Sequence, residues 1–146
     1  MTEKKRRSYC PMSSALDVLG DKWSLLVVRD ILLRAKRTHK AFRASDEGIA
    51  TNILGDRIAR LEAEGIIARE KDPSDGRSEI FSLTQKGVDL LPVLLALTEW
   101  SGKYDPELAN PAFQPQLKAL ADDMRALIGE IESGADLSAG RQLWPR

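Results

Sequence analysis

Cysteine and histidine are almost absent: the chain of 146 residues has one of each. One cysteine excludes an intramolecular disulfide framework, and one cysteine with one histidine cannot form a Cys/His zinc site within one chain. The histidine, His39, has basic rather than acidic neighbours, which makes it a poor base for a catalytic triad. We expect His39 on the surface or facing a phosphate, and we expect no catalytic site, metal site or cofactor.

Long apolar runs are also missing. No stretch approaches the ~18 consecutive apolar residues that cross a bilayer, and the chain does not open with a charged and then apolar leader. Aromatic residues make up only 5% of the chain, but the apolar fraction of 42% is sufficient for an ordinary globular core. The sequence therefore predicts a cytoplasmic protein of one domain, with room for a terminal extension and no membrane partner.

An excess of one charge sign is absent too, since 22 Lys/Arg residues balance 22 Asp/Glu residues. The distribution is uneven, however: residues 1–43 contain 11 basic and 4 acidic residues, whereas residues 105–136 contain 2 basic and 7 acidic residues. Phosphate binding depends on the local charges that reach the nucleic-acid backbone. The basic end therefore indicates a nucleic-acid partner, although the initial KKRR could also be a solvated tail.

Residues 48–65 have the pattern of an amphipathic helix. Leu54, Ile58 and Leu61 follow the i, i+4, i+7 spacing of a stripe that packs on a core, with Ile53 at its edge. Gly65 supplies the left-handed residue that ends such a helix. The opposite face could enter a groove, because its side chains are small or polar: Thr51, Asn52, Gly55, Asp56 and Ala59.

A two-stranded ribbon is predicted after this helix. Ile67–Lys71 and Glu79–Leu83 are the strands, the sequence DPSDG of Asp72–Gly76 is the turn, and Arg77 lies at the base of the ribbon. A helix followed by a ribbon predicts a winged helix-turn-helix. The expected fold class is therefore mainly α with a small β-ribbon wing.

Further helices are predicted on both sides of this unit. Asp21 can cap a buried helix over Lys22–Leu33, Thr38 can cap a helix over His39–Ser45, and Ser14 begins a short helix with a capping-box spacing. After the ribbon, Thr84 caps one long apolar helix with a kink at Pro92. A second amphipathic helix follows over Pro115–Glu132, and the last predicted segment is a flexible tail in which Leu143 and Trp144 could dock.

Three stretches resemble the HxlR-type regulators, a branch of the winged-helix repressors close to the MarR group. They are CPMSSALDVLGDKWSLLVVRDIL, HKAFRASDEGIATNILGDRIARLEAEGIIARE and IFSLTQKGVDLLPVLLALTEW, and together they cover Tyr9 to about Tyr104. The resemblance implies a bacterial, homodimeric, DNA-binding transcription regulator, most often a repressor. It also implies that the helix after the wing forms the dimer interface with the N-terminal helices, and that Trp100 occupies a core position.

The resemblance divides the chain into four parts. These are a basic N-terminal arm (1–8), an HxlR-type winged helix-turn-helix domain with its dimerisation helices (9–104), a C-terminal helical extension (105–132) and a flexible tail (133–146). The extension departs from many family members, which stop earlier. A second departure is Ala50, where the family usually has a serine that caps the recognition helix. Capping would then pass to Thr51, Asp46 or Glu47.

The recognition helix supplies the candidate base contacts. Asn52 could pair with adenine, and Thr51 could meet a base, a thymine methyl group or a phosphate. Arg57 and Arg60 lie beside this face and suit phosphates better than bases. Asp56 could accept a hydrogen bond from a cytosine amino group or form an i, i+4 ion pair with Arg60.

The wing supplies further candidate DNA contacts. The resemblance assigns Arg77 to the narrow, electronegative minor groove, which an arginine suits. The alternative is an ion pair between Arg77 and Asp72 or Asp75. Three other side chains could contact phosphates: Lys40, Lys71 and Ser74.

Cys10 is a candidate effector site. It lies beside a basic leader and just before a helix N-terminus, and both features favour the thiolate. Reactivity toward oxidants or electrophiles follows as a hypothesis, and several HxlR-type regulators sense such stress through a cysteine at the matching place. The alternative is a cysteine that only fills space in the core.

The leading interpretation is a homodimeric, sequence-specific repressor that binds an inverted repeat in double-stranded DNA, with half-sites about one helical turn (~34 Å) apart. An oxidant or a small molecule is a possible effector. Two alternatives remain: a winged-helix module that binds protein, and a thiol-dependent enzyme built around Cys10. The polar face of the recognition helix argues against the first, and the poor base His39 argues against the second.

Overall fold

The computed structural model describes residues 5–144, so residues 1–4 of the predicted arm and residues 145–146 of the predicted tail lie outside the described residues. Within this range the chain is mainly helical, with one two-stranded antiparallel sheet. The elements are α1 (Pro11–Leu19), α2 (Ser24–Arg34), α3 (His39–Arg43), α4 (Thr51–Ala63), β1 (Ile67–Asp72), β2 (Asp75–Leu83), α5 (Gln85–Val88), α6 (Leu91–Tyr104) and α7 (Gln114–Glu132). The predicted fold class is confirmed. No helix in residues 5–144 is both long and apolar enough to cross a membrane.

The first two helices begin in different ways. Helix α1 starts at Pro11, whose missing N–H costs nothing in a first turn, so Ser14 lies inside the helix and the predicted capping box is wrong. Helix α2 is capped by Asp21 as predicted. The Asp21 carboxylate accepts hydrogen bonds from the N–H groups of Trp23 and Ser24, each at 2.9 Å. Asp21 therefore fixes the turn between the two helices.

Helix α2 lies at the centre of the hydrophobic core. Its Val28, Ile31 and Leu32 are fully buried, because α1, α4, α6 and β2 pack around it. The apolar stripe predicted on α4 is confirmed, since all three of its residues are buried: Leu54, Ile58 and Leu61. The polar face of α4 must consequently point away from the core.

Helix α3 is short and closely follows its prediction. Thr38 accepts a hydrogen bond from the Ala41 N–H at 3.1 Å, which confirms the predicted cap. Phe42 is buried, and the helix ends at Arg43, two residues before the predicted end at Ser45. Helices α3 and α4 contact each other and form the helix-turn-helix.

The wing strands are longer than predicted and leave a two-residue turn, Pro73-Ser74. Ile67 lies opposite Leu83 at one end, and Asp72 lies opposite Asp75 at the other. The turn is held by the Asp72 carboxylate, which accepts hydrogen bonds from the Ser74 N–H at 2.8 Å and from the Ser74 hydroxyl at 2.7 Å. An Asp before such a turn commonly stabilises it in this way.

The long helix predicted after Thr84 is divided into two. Thr84 caps α5 by accepting a hydrogen bond from the Gly87 N–H at 3.2 Å, and α5 ends at Val88. Pro92 lies in the first turn of α6, where a proline needs no hydrogen-bond acceptor. The predicted kink is therefore wrong, because Pro92 starts a new helix rather than bending a continuous one.

Helix α7 packs along α6, and it starts at Gln114, one residue before the predicted start. Its predicted apolar stripe is confirmed by the burial of Leu120, Met124 and Leu127. The C-terminal extension therefore adds to the core of the domain instead of projecting from it.

Residues 134–144, which we call the C-terminal strap, lie against the domain. The N–H of Arg141 donates to the Leu32 carbonyl at 2.8 Å, and the N–H of Leu143 donates to the Leu33 carbonyl at 2.7 Å. These bonds satisfy carbonyls at the C-terminal end of α2, which have no partner within their own helix. The predicted flexible tail is corrected for this segment, because its backbone has acceptors on α2 and its Leu137 is buried.

Candidate DNA-binding interface

Helix α4 begins without a side-chain cap. Its N-cap residue, Ala50, has an extended backbone and no side-chain acceptor. None of the predicted substitutes acts in its place: Thr51 is already the first helical residue, and Glu47 is bound to Arg29. Among the hydrogen bonds of the described residues, Asp46 accepts none from this turn. The prediction of a substitute cap is therefore wrong, and the first N–H groups of α4 remain available to an anion.

The exposed face of α4 carries the candidate base contacts. Thr51 and Asn52 are exposed in the first turn, and Asp56 is exposed one turn later. Nothing lies within 4 Å of the position that a Cβ atom would take at Gly55. The face is therefore open at its centre and could approach another surface closely.

Arg57, predicted to contact phosphate, is bound within the protein. Its Nε donates to Asp21 Oδ2 at 2.9 Å, and its Nη1 donates to the Asp56 carboxylate. Asp56 therefore pairs with Arg57, and the alternative i, i+4 pair between Asp56 and Arg60 is not formed. Arg60 is exposed and has no ion pair within residues 5–144.

The Asp21 carboxyl is strongly held in its charged form. Burial raises its pKa, but the hydrogen bonds from Ser24, Trp23 and Arg57 outweigh burial and lower the pKa to about 2. Asp21 therefore remains ionised at neutral pH while it joins α2 to α4 through Arg57.

An open groove of about 620 Å³ lies between α3 and the wing. Four cationic side chains line it, and in residues 5–144 none of them has an ion pair: Lys40, Arg43, Lys71 and Arg77. The one acid of the lining, Glu79, already binds Arg69 at 2.9 Å. The groove is consequently a positive surface suited to a polyanion such as a nucleic-acid backbone.

Arg77 lies near the tip of the wing, two residues after the start of β2, rather than at its base. Its backbone N–H donates to Asp75 Oδ1 at 3.1 Å. Its side chain makes no ion pair with Asp72 or Asp75, which rules out the alternative pairing in this structure. The hydroxyl of Ser74, another candidate, is already donated to Asp72.

Other arginines near the groove are neutralised by carboxylates. Arg37 lies 3.5 Å from Glu70, and Arg69 binds both Glu62 and Glu79. The side chain of His39 contacts the ring of Phe81 edge-on, with centroids 5.2 Å apart. It is half-buried rather than fully on the surface, and it lines the cationic groove.

Sequence reasoning missed Arg43 as a site residue. Lys40 and Arg43 are three residues apart on α3, a spacing that places them on one face of a helix. This spacing was the available signal. Their approach to the wing, in contrast, depends on how α3 packs and is not visible in the sequence.

An exposed apolar stripe runs along α6, on the side away from α7. It consists of Val93, Leu97, Trp100 and Tyr104. Helix α1 also exposes two large apolar side chains, Met12 and Leu16. Trp100 is 66% exposed, and its ring contacts the ring of Tyr104, with centroids 5.8 Å apart. Within residues 5–144 it therefore does not occupy the core position implied for it.

Cys10 is exposed and directly precedes α1 as its N-cap residue. Its N–H donates to the Ser8 hydroxyl at 3.2 Å, so the thiol is on the surface and does not fill the core. Among the residues described, no three His, Cys, Asp or Glu side chains are arranged to hold a metal ion.

A model of the HxlR-like helix-turn-helix family matches residues 18–109 of the chain. The HTH-type transcriptional regulator sll1512 of Synechocystis is 36% identical over 88 residues, which are 60% of this chain and 64% of that protein. The chain therefore matches less than two thirds of the length of this relative. The relatives are regulators of transcription, not enzymes.

Two solved structures share the fold. The reduced form of the regulator YodB from Bacillus subtilis is 25% identical, covers 68% of this chain and 98% of its own, and has a TM-score of 0.56. The reduced form of the redox regulator HypR is 27% identical, covers 68% and 98%, and has a TM-score of 0.59. With its helix-turn-helix, its wing and a family match over residues 18–109, the chain belongs to the HxlR-like helix-turn-helix family of transcriptional regulators.

Proposed function

We propose that the protein is a homodimeric, sequence-specific DNA-binding repressor of the HxlR type. The observation that carries this proposal is the groove lined by four unpaired cations, whose helix α3 packs against α4 and its exposed polar face. A helix of this kind fits the major groove, and a neighbouring cationic groove fits the phosphate backbone.

Each candidate contact has a distinct role in this proposal. Asn52 reads adenine, and Thr51 reads a base edge or a methyl group. The wing arginine, Arg77, enters the minor groove. Phosphates are bound by Arg60 and by three cations of the groove: Lys40, Arg43 and Lys71. Asp56 and Ser74 contribute less to DNA binding, because the side chain of each is already bound to another residue of the protein.

The exposed stripe on α6 supports the dimer. Val93, Leu97, Trp100 and Tyr104 recur at the spacing of one helix face, and contiguous exposed apolar surface on a monomer commonly marks a protein interface. A second copy of this chain provides the same apolar surface, as expected for a twofold dimer. Such a dimer presents two α4 helices to an inverted repeat.

We also propose that Cys10 is the effector site. YodB has structures in reduced, diamide-treated and quinone-bound forms, and HypR has reduced and oxidised forms. Cys10 is exposed directly before α1, and in the proposed dimer the N-terminal helices join α6 at the interface. Oxidation or alkylation of this thiol would therefore act close to the proposed dimer interface and change the spacing of the two α4 helices.

Selection of bound sequences from a random duplex library tests the function directly. The purified protein is used under reducing conditions and again after diamide treatment. An enriched inverted repeat under reducing conditions supports the DNA-binding dimer, and its loss after diamide supports the redox response. No enrichment in either state would contradict sequence-specific DNA binding and favour a protein-binding module.

A Cys10→Ser variant tests the sensor separately. We expect it to bind the selected operator as tightly as the wild type when reduced, and to keep that affinity after diamide or a quinone. An equal loss of affinity in the variant and the wild type would exclude Cys10 as the sensor while leaving the DNA-binding function intact.

A further inference from the structure

Helix α4 is joined to α2 by two ion pairs, which we call the α2 links. In the first link, Arg57 in the middle of α4 donates to Asp21 at the start of α2, at 2.9 Å. In the second link, Glu47 just before α4 accepts two hydrogen bonds from Arg29 of α2, Nη1–Oε1 at 2.5 Å and Nη2–Oε2 at 3.1 Å. The α2 links therefore restrain both the entry into α4 and its middle.

The second link is supported from within the protein. Arg29 also binds Asp30 Oδ1, through Nε at 3.1 Å and Nη2 at 2.8 Å. The buried Asp30 accepts a hydrogen bond from the Ser45 hydroxyl at 2.6 Å, and Ser45 accepts one from Lys36 Nζ at 2.7 Å. The turn between α3 and α4 is thus held by charge-assisted hydrogen bonds, which are stronger than neutral ones.

This support compensates for a weakness in α4. Its N-cap is Ala50, so no side chain restrains the first turn, and an uncapped turn loses stability relative to one capped by serine. Thr51 and Asn52 lie in that turn. Base recognition requires side chains held to within about 0.5 Å of their productive position, so the restraint must come from outside the helix.

The charges of the links argue against a direct contact with DNA. Asp21 and Glu47 neutralise Arg57 and Arg29, two cations that would otherwise add to the affinity for any DNA sequence. The hydrogen bond from Arg29 lowers the pKa of Glu47 to about 2, so Glu47 remains charged and keeps Arg29 neutralised at neutral pH. An acid that lowers the affinity for all DNA sequences can still raise specificity if it holds α4 in the geometry that base recognition requires.

We propose that the α2 links position α4 for base recognition and thereby set sequence discrimination; the positioning residues are Asp21, Arg29, Glu47 and Arg57. The inference rests on the proposed DNA-binding function. It gives Arg57 a role within the protein instead of a phosphate contact. Breaking a link should lower affinity for the operator, but it should not weaken binding to random DNA.

Two variants of the full chain, Glu47→Gln and Asp21→Asn, test the proposal. Each removes one negative charge and keeps the shape of the side chain, and the second retains an amide oxygen that can still cap α2. We expect operator affinity to fall about tenfold while affinity for a random duplex of equal length stays constant or rises. Equal changes on both duplexes, or an unchanged ratio, would overturn the proposal.

A matched control is Glu99→Gln, which breaks the ion pair of Glu99 on α6 with Arg125 on α7 at 2.5 Å. It removes the same charge but should leave the ratio of operator to random affinity unchanged. Arg57→Gln provides a second probe of the first link. It should lower that ratio, whereas a parallel loss on both duplexes would show that Arg57 contacts phosphate.

Amide hydrogen exchange in the free protein gives a readout that does not require DNA. Glu47→Gln should increase exchange severalfold at Leu54, whose N–H donates to the Ala50 carbonyl at 2.9 Å, and leave exchange at Ile66 unchanged. Unchanged exchange at both positions would overturn the proposal whatever the DNA result. Failure of the wild type to select any sequence would instead overturn the proposed function, so the two failures are distinguishable.

Discussion

Two regions of the molecule differ in whether their cationic side chains are paired with carboxylates. At the end formed by α3 and the wing, four cations line an open groove, and none has an ion pair among residues 5–144: Lys40, Arg43, Lys71 and Arg77. At the end formed by α6, α7 and the C-terminal strap, three cations have carboxylate partners at 2.5 to 2.7 Å: Arg125, Lys118 and Arg141.

This difference shows why a net charge of zero says little about the partner. A cation that already has a carboxylate gains little from a phosphate, whereas an unpaired cation releases counterions from DNA when it binds. Acids neutralise these three cations of α7 and the strap and leave the four cations of the groove unpaired within residues 5–144. The local arrangement of charges, rather than their sum, therefore favours a nucleic-acid partner at the α3–wing end.

Apolar surface shows the opposite distribution. The exposed stripe of Val93, Leu97, Trp100 and Tyr104 belongs to α6, while the exposed face of α4 is polar or small. One end is therefore suited to a protein partner and the other to a polyanion. Changes at each end should have effects of different kinds, and the following predictions separate them.

The largest effect is expected from Trp100→Glu on α6. A charge in the centre of the apolar stripe should split the proposed dimer, and a protein with one α4 helix loses the gain from binding two half-sites, which is commonly 100-fold or more. Sedimentation should show a monomer, and operator affinity should fall by about that factor. Affinity for a single half-site should change little.

Phe113→Glu is the matched control, because Phe113 is also an exposed aromatic residue but lies before α7 and outside the stripe. It should leave both the dimer and the operator affinity intact. A dimer that survives Trp100→Glu would place the interface elsewhere.

The next largest effect is expected from Asn52→Ala on α4. Loss of a base contact should cost ~1 to 3 kcal/mol on the best site and relax preference at one base pair. Arg60→Ala should instead weaken all sequences alike and reduce the salt dependence. Binding to a panel of single-base operator variants distinguishes the two, and identical profiles would remove Asn52 from the base contacts.

The sequence predicted the features that depend on neighbouring residues. The stripe of α4, the caps by Asp21 and Thr38, and the wing after Gly65 all rest on patterns within about ten residues, and the structure confirms them. The exposure of Thr51 and Asn52 follows from the same helical period. Local patterns thus fixed which faces are buried and which are free.

The features that were missed depend on contacts between distant parts of the chain. The ion pair of Arg57 with Asp21 was missed because the two residues lie 36 positions apart, and no spacing rule pairs such residues. The docking of the C-terminal strap was also missed. The N–H groups of the strap donate to backbone carbonyls of α2, and no sequence pattern indicates which carbonyls a distant segment will bind. The break before Pro92 was missed because a proline can either bend a helix or begin one.

A third prediction compares Asp21, which binds α4 through Arg57, with an acid of α7. The pKa of Asp21 is lowered from 3.8 to about 2, so its bonds stabilise the fold fully above the unfolded value and lose this effect as pH falls from about 4 toward 2. The contribution is about 2 kcal/mol or less for this partly buried group. Asp21→Asn should therefore lower stability at neutral pH and flatten its decline in acid.

Asp122→Asn provides the comparison at the α7 end. The Lys118 hydrogen bond lowers the pKa of Asp122 as well, but this carboxylate is exposed and solvent screens its ion pairs. Urea unfolding between about pH 6 and pH 2 should give the wild-type curve for Asp122→Asn and a flatter curve for Asp21→Asn. Matching curves for the two variants would refute a stabilising role for the first link.

The smallest effects are expected from substitutions of single cations, which also compare the two regions most directly. Arg43→Ala and Arg77→Ala should each weaken DNA binding severalfold and reduce the salt slope by about 1, because each removes a charge that displaces a counterion. Arg125→Ala removes the same charge from the α7 end, but its partners Glu99 and Asp122 already neutralise it. Its salt slope should remain that of the wild type. Equal salt slopes for all three variants would mean that DNA affinity depends only on the total charge of the protein. Such a result would contradict the assignment of the groove to the DNA backbone.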